Sequence, residues 1–152
     1  MTVSPQTIFL AGIIQGSLPN EIEAQDYREP IMTVLKKIFP EATVYDPVAN
    51  HSDSLNFDKE KASRVFFDLM CRAGDADLLV AYVPLASMGT SIEIWNAYNA
   101  GKPVVVIGPL RLNWVVRFCA DHTCETITEF VEFATSGGLQ NLLTKKQRRK
   151  HA

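Results

Sequence analysis

The segment Ser87-Met-Gly-Thr-Ser-Ile-Glu93 places a carboxylate, a glycine and three hydroxyls where an apolar run gives way to a helical pattern. In that setting the backbone N–H groups and the positive end of the helix face whatever lies beyond the strand, so an anion can be held there. Ser87, Thr90 and Ser91 supply hydroxyls that can donate to phosphate or sugar oxygens, and Gly89 lets the backbone approach a ligand closely. Asp68 supplies a second carboxylate further back. A pair of carboxylates suits cleavage of a sugar-base bond. Positive charge builds on the anomeric carbon and negative charge on the departing base, so one carboxylate captures the carbon while a second group protonates or hydrogen-bonds the base. A plainer reading stands beside this one: Thr90-x-x-Glu93 is also a capping box, and Asp68 taken alone is a solvated helix-surface residue.

The surrounding elements must position these groups. Thr7-Ile-Phe-Leu-Ala-Gly12 reads as a buried strand ending at a glycine, followed by a Gly16-Ser17-Leu-Pro-Asn20 loop with strong turn chemistry. A helix is expected from Asp26 to about Phe39, with Ile31, Val34, Leu35 and Ile38 as its apolar stripe and Pro40 as its stop. Thr43 to Asp46 is a short second strand, and Pro47 to Phe57 is a polar loop able to cover a site. Asp58 caps a further helix with Ala62, Val65, Phe66, Leu69, Met70 and Ala73 on one stripe and Asp68 well off it.

Asp77 to Val83 and Pro103 to Ile107 are continuous apolar runs, as expected of parallel strands covered on both faces. A helix from about Thr90 to Ala100 lies between them, closed by Gly101-Lys-Pro103, and two more are expected near Leu112 to Cys119 and Thr126 to Ala134. This alternation predicts an α/β fold: a doubly wound, flavodoxin-like or Rossmann-like open parallel sheet with helices on both faces. Ligands in such sheets bind outside the carboxyl ends of the strands, here the loops after Gly12, Val83 and Ile107.

Composition sets the class. The 152 residues, 47% hydrophobic and 21% charged, suit one domain, taken as residues 1–143 with a basic, disordered tail over 144–152. Neither a secretory leader nor a membrane span is legible, so a cytoplasmic protein is expected. Cys71, Cys119 and Cys124 contain no C-x-x-C pair, and the three histidines share no ligand spacing; neither a metal nor an organic cofactor is called for. Setting aside the five basic residues between Lys145 and Lys150 leaves ten basic against seventeen acidic side chains, and an acidic body argues against general nucleic-acid binding.

In both order and content these residues resemble the nucleoside 2-deoxyribosyltransferase-like family, including the 2'-deoxynucleoside 5'-phosphate N-hydrolases, over nearly the whole chain. Ile8-Phe-Leu-Ala-Gly12 looks like the first-strand signature, Phe67-Asp68-Leu69 through Asp77 like the aspartate helix and next strand, and Gly89-Thr-Ser-Ile-Glu93 with Ala97 and Gly101-Lys-Pro103 like the catalytic block. The resemblance implies that Glu93 is the nucleophile and that Asp68 orients or protonates the base. It implies a nucleoside or nucleotide substrate contacted by Gly12, Gly16, Ser17, Ser87, Gly89 and Thr90. It further implies a homodimer or larger assembly in which the region of Asn113 reaches the neighbouring site.

The chain departs from the family pattern in four places. Phe9 stands where a tyrosine hydroxyl usually holds the glutamate, Trp95 replaces a small residue and is expected to alter helix packing or pocket volume, and Gln15 lacks the usual loop charge. Ser87 stands where transferases often carry an aspartate, as in the phosphate-recognising hydrolases, which favours hydrolysis of a monophosphate. A deoxyribosyltransferase is the alternative, a phosphoribohydrolase ranks lower because the preceding Gly-Gly is absent, and a non-catalytic nucleotide sensor is the alternative of another class.

Overall fold

The computed structural model describes residues 3–15 and 22–150. Five strands, β1 (Thr7–Gly12), β2 (Thr43–Tyr45), β3 (Leu78–Tyr82), β4 (Val104–Ile107) and β5 (His122–Cys124), form one sheet in the order β2-β1-β3-β4-β5. Every pairing is parallel, with Ile8 opposite Leu78 and Val44, and Leu79 opposite Val104. The open, doubly wound α/β architecture expected from the sequence is the one observed, in its flavodoxin-like order.

Alternation along the strands sends successive side chains to opposite faces, and each face has its own helices. Ile8, Leu10, Leu78, Val80, Val105 and Ile107 pack under α1 (Arg28–Ile38), α6 (Ile127–Thr135) and α7 (Gly138–Lys150). Phe9, Ala11, Leu79, Ala81, Val104 and Val106 pack under α3 (Lys59–Asp75), α4 (Met88–Asn99) and α5 (Trp114–Cys119). A sheet covered twice needs apolar residues at every strand position, which is why β3 and β4 read as unbroken runs.

Several elements escaped the sequence reading. The polar loop after β2 contains a short helix, α2 (Pro47–Asn50), started by the Asp46 carboxylate accepting from Val48 N, and a single 3-10 turn at Ser54–Asn56. The short strand β5 was not expected either, and its His122 stacks on Phe133. The segment from 144 onward, expected to be a disordered tail, continues α7 to Lys150, with Lys146 bound to Asp121 at 2.8 Å. Its start is anchored by Leu139 and Leu143, which extend an apolar pattern that the basic run obscures. No helix among the described residues is long and apolar enough to cross a membrane.

The turn after β4 tolerates no side chain. Gly108 has φ +144° and donates to the Cys124 carbonyl, and a Cβ built there lies 2.3 Å from the Val83 carbonyl oxygen. Gly108→Ala should therefore destabilise the protein by about 2–4 kcal/mol, measured by chemical denaturation, because backbone rather than a mobile side chain blocks the methyl group.

Candidate active site

Strand order reverses direction between β1 and β3, and the loops leaving those strands diverge to opposite faces, opening a crevice at the carboxyl edge of the sheet. Glu93 reaches this edge from α4. Ser87 is the N-cap of that helix: its hydroxyl oxygen accepts from Thr90 N at 3.4 Å and from the Thr90 hydroxyl at 3.1 Å. With the cap at Ser87 rather than Thr90, Glu93 lies in the second turn and cannot close a capping box. It stands instead on the inward stripe Thr90, Glu93, Ile94, Ala97, all buried, with Glu93 itself only 5% exposed.

A carboxyl on an apolar stripe holds its proton. Burial lifts Glu93 from an ordinary 4.5 to about 8, and the Arg28 guanidinium opposes the rise without cancelling it. Arg28, at the first position of α1, is also 5% exposed. Its Nη1 donates to the Leu10 carbonyl at 3.1 Å and pairs with Asp46 at 3.0 Å, its Nε donates to Gln25 at 2.7 Å, and its Nη2 is buried without an acceptor. Beside it, Tyr27 stacks on Tyr82 with ring centroids 4.3 Å apart. Burial pushes the Tyr27 hydroxyl up to about 12, with Arg28 opposing and the carboxylates of Asp46 and Glu93 adding to the rise.

Tyr27, Arg28 and Asp46 were not singled out from the sequence. A signal existed: the stripe Ile31, Val34, Leu35, extended back by three or four residues, lands on Arg28 and Tyr27. Gly12 serves this cluster too, since a Cβ there would meet the Tyr27 hydroxyl at 2.2 Å; its small size admits Tyr27.

Other residues expected at the site are placed differently. Asp68 is half exposed on α3, its carboxylate held by Arg72 Nε at 2.6 Å, and the charge acting on Glu93 is that of Arg28 rather than Asp68. Arg72 in turn lies over the Tyr45 ring, 4.8 Å from its centroid. Asn113 caps α5 by accepting from Val115 N at 3.0 Å. Gly89 has open space where a Cβ would stand, so nothing within the described protein demands a glycine there. Gly16 and Ser17 lie outside the described residues. Phe9 is fully buried on the α3 and α4 side, stacked on Tyr45. Trp95 corrects an expectation: it projects from the outer face of α4, 52% exposed against Tyr98, and so alters neither core packing nor pocket volume. Two positions along a helix from Glu93, it turns away from the sheet.

A cleft of about 330 Å³ opens beside the cluster, between the loop after β1, the segment after β2 and the first half of α3. Val48, Leu55, Phe57, Val65, Phe66 and Leu69 give it apolar walls, and Gln15, His51, Ser52 and Ser54 add polar groups. His51 is fixed by Tyr45, whose hydroxyl lies 3.1 Å from its Nε2. This cleft explains why Val65, Phe66 and Leu69 satisfy the helical stripe yet are not buried in the core. Glu93 is not among the residues that line it. Among the described residues no cluster of three or more His, Cys, Asp or Glu side chains could hold a metal ion.

Solved structures share this architecture, two of them as follows. A 2-deoxyribosyltransferase from Bacillus psychrosaccharolyticus superposes with a TM-score of 0.65 at 22% identity, over 85% of this chain and 94% of that one. The chain has the fold of that enzyme. A conserved protein from Enterococcus faecalis V583 superposes with a TM-score of 0.60 at 15% identity, over 86% and 98% of the two chains. No family sequence profile and no curated protein sequence matches the chain.

The state of Glu93 can be read through stability. Between about 4.5 and 8 the unfolded chain gives up this proton while the folded protein retains it, so rising pH favours unfolding across that window and the effect levels off above it. Glu93→Gln removes the penalty. Compared with the native protein, the variant should gain stability as pH rises from about 5 to about 8, approaching on the order of 5 kcal/mol, read from denaturation midpoints at several pH values.

Proposed function

We propose that this protein cleaves the N-glycosidic bond between sugar and base in a nucleoside or nucleoside 5'-monophosphate, using Glu93 as the nucleophile and water as the final acceptor. The observation that carries the reading is a nearly sealed carboxyl on the inward stripe of α4, in the field of a buried arginine, at the carboxyl edge of a sheet shared with a 2-deoxyribosyltransferase. The adjoining cleft has the flat apolar walls and few polar groups that a nucleobase requires.

In this reading the ionised Glu93 attacks the anomeric carbon. A carbon-oxygen bond forms to the carboxylate, the carbon-nitrogen bond breaks, and its electron pair goes to the base, which takes a proton from water in the cleft. Water then attacks the same carbon, releases the sugar, gives up a proton and restores the carboxylate. Asp68, fixed by Arg72, orients the base by accepting hydrogen bonds. Ser87 accepts two hydrogen bonds at the cap and keeps its own hydroxyl hydrogen for a sugar or phosphate oxygen, and Gly89 leaves room for the ligand to approach the start of α4. Gly16 and Ser17 are proposed as further phosphate contacts on the strength of the family resemblance alone.

Transfer of the sugar to a second base is the alternative, favoured by the likeness to a 2-deoxyribosyltransferase. A sensor without turnover is favoured by Phe9 and by the protonated state of Glu93 near neutral pH. The outer face of α4 and α5 is proposed to meet a second copy of the chain: Trp95, Tyr98, Trp114 and Phe118 are all exposed there, with Trp114 at 75%. A helix apolar on both faces is expected to be covered on both.

Purified protein incubated with ribo- and deoxynucleosides and their monophosphates, followed by chromatography, should release free base, and Glu93→Gln should lower the rate by at least about a thousandfold. With added acceptor base, a new nucleoside identifies a transferase. Tight binding without base release, unchanged in Glu93→Gln, would support the sensor. A nucleophile must be ionised, so kcat/KM, which reports the ligand-free enzyme, should rise with pH up to about 8; a fall across the same range would make Glu93 a proton donor instead. In sedimentation velocity the native protein should run as a dimer or larger species, and Trp114→Lys should shift it toward monomer.

A further inference from the structure

Arg28 is a cation at the first position of a helix, where the dipole is already positive, and it is almost wholly buried. Both circumstances disfavour a positive charge. The Asp46 pair, the Leu10 carbonyl and Gln25 satisfy Nη1 and Nε, but Nη2 is left buried and without an acceptor. Leucine or methionine would continue the α1 stripe at this position without an unpaired buried donor. The orphaned donor therefore calls for an acceptor, and of the described groups in the Arg28 field Asp46 already pairs with Nη1 and Tyr27 is a hydroxyl that donates to Ile13 and Gln25, which leaves the Glu93 carboxyl.

We infer that Arg28 is the positioning residue for Glu93: its unpaired Nη2 receives the Glu93 carboxylate when ligand enters the crevice, holding the carboxylate ionised and aimed at the ligand. This rests on the glycosidase reading and deepens it. Phe9 has no hydroxyl to offer and is packed on Tyr45, so the duty passes from β1 to the start of α1. Asp46 fixes the guanidinium from the end of β2, and Tyr27, stacked on Tyr82 of β3, walls the cluster. Among the described residues the ionisable groups around this centre are Tyr27, Arg28, Asp46 and Tyr82, while Asp68 and Arg72 of α3 pair with each other beside Tyr45.

The test reads Glu93 itself, through the carboxyl infrared band that Glu93→Gln removes, titrated in the full-length protein and in Arg28→Met, Arg28→Lys and Asp46→Asn. Arg28→Met should raise the Glu93 protonation midpoint by at least about one pH unit, a tenfold tighter hold on the proton, and Arg28→Lys should restore most of it. Asp46→Asn, which removes a nearby negative charge, should lower the midpoint. A midpoint unmoved by Arg28→Met and by Asp46→Asn overturns the inference; if Arg28→Met does not fold, Arg28→Gln, which also removes the charge, and Asp46→Asn carry the same decision. In turnover, Arg28→Lys should cut kcat by more than about tenfold with KM changed far less, and the acid limb of its pH profile should follow the infrared midpoint. If no nucleoside is cleaved while the midpoint still tracks Arg28, the glycosidase reading fails and the positioning role stands. Glu93-dependent cleavage with an unmoved midpoint has the opposite meaning.

Discussion

One buried charge at the sheet edge governs the arrangement around it. Arg28 cannot be withdrawn from water without anions and carbonyls to receive it, and the neighbouring elements supply them: the Leu10 carbonyl from β1, Asp46 from the end of β2 and Gln25 from the approach to α1. Asp46 in turn starts α2, so the same carboxylate that neutralises the arginine shapes one wall of the cleft. Gly12 must be small because Tyr27, the next residue back along α1, fills the space its side chain would take. Removing the charge would leave the convergence of the Leu10 carbonyl, Asp46 and Gln25 on one point without a physical reason.

The two faces of the sheet meet at this point. Arg28 and Tyr27 belong to the α1 side, Glu93 to the α4 side, and the crevice between β1 and β3 is where helices on opposite faces approach each other at their N-termini. A carboxyl there experiences opposing influences. Burial on the apolar stripe of α4 favours the proton, the arginine favours its loss, and the outcome is a group poised near neutrality rather than fixed in either state. Such poise suits a carboxylate that is uncovered and ionised only as a ligand displaces its surroundings.

Much of this was legible in the sequence. The unbroken runs at Leu78–Tyr82 and Val104–Ile107, with helical patterns between them, determine a parallel sheet covered twice, and Gly89 to Glu93 marks the decisive loop and helix. What could not be read depends on contacts between distant segments. The capping-box alternative for Glu93 fell because Ser87, three residues before Thr90, takes the cap, a choice between two hydroxyls that local sequence leaves open. Asp68 reads as a second carboxylate of the site, and the side chain that fixes its direction, Arg72 one turn later, is seen only in the structure. Arg28 continues the α1 stripe backward, but the Leu10 carbonyl and Asp46 that receive its charge come from distant strands and show only when α1 returns over β1 and β2.

The central claim, that Glu93 forms the bond to the sugar, is tested most directly by intact-protein mass spectrometry after acid quench of the reaction with a cleaved nucleoside, followed by peptide mapping. The account predicts a mass increase of one sugar, without its base, located on the peptide that contains Glu93 and absent from Glu93→Gln. Rapid base release with no adduct at any quench time, or an adduct on another residue, would contradict it.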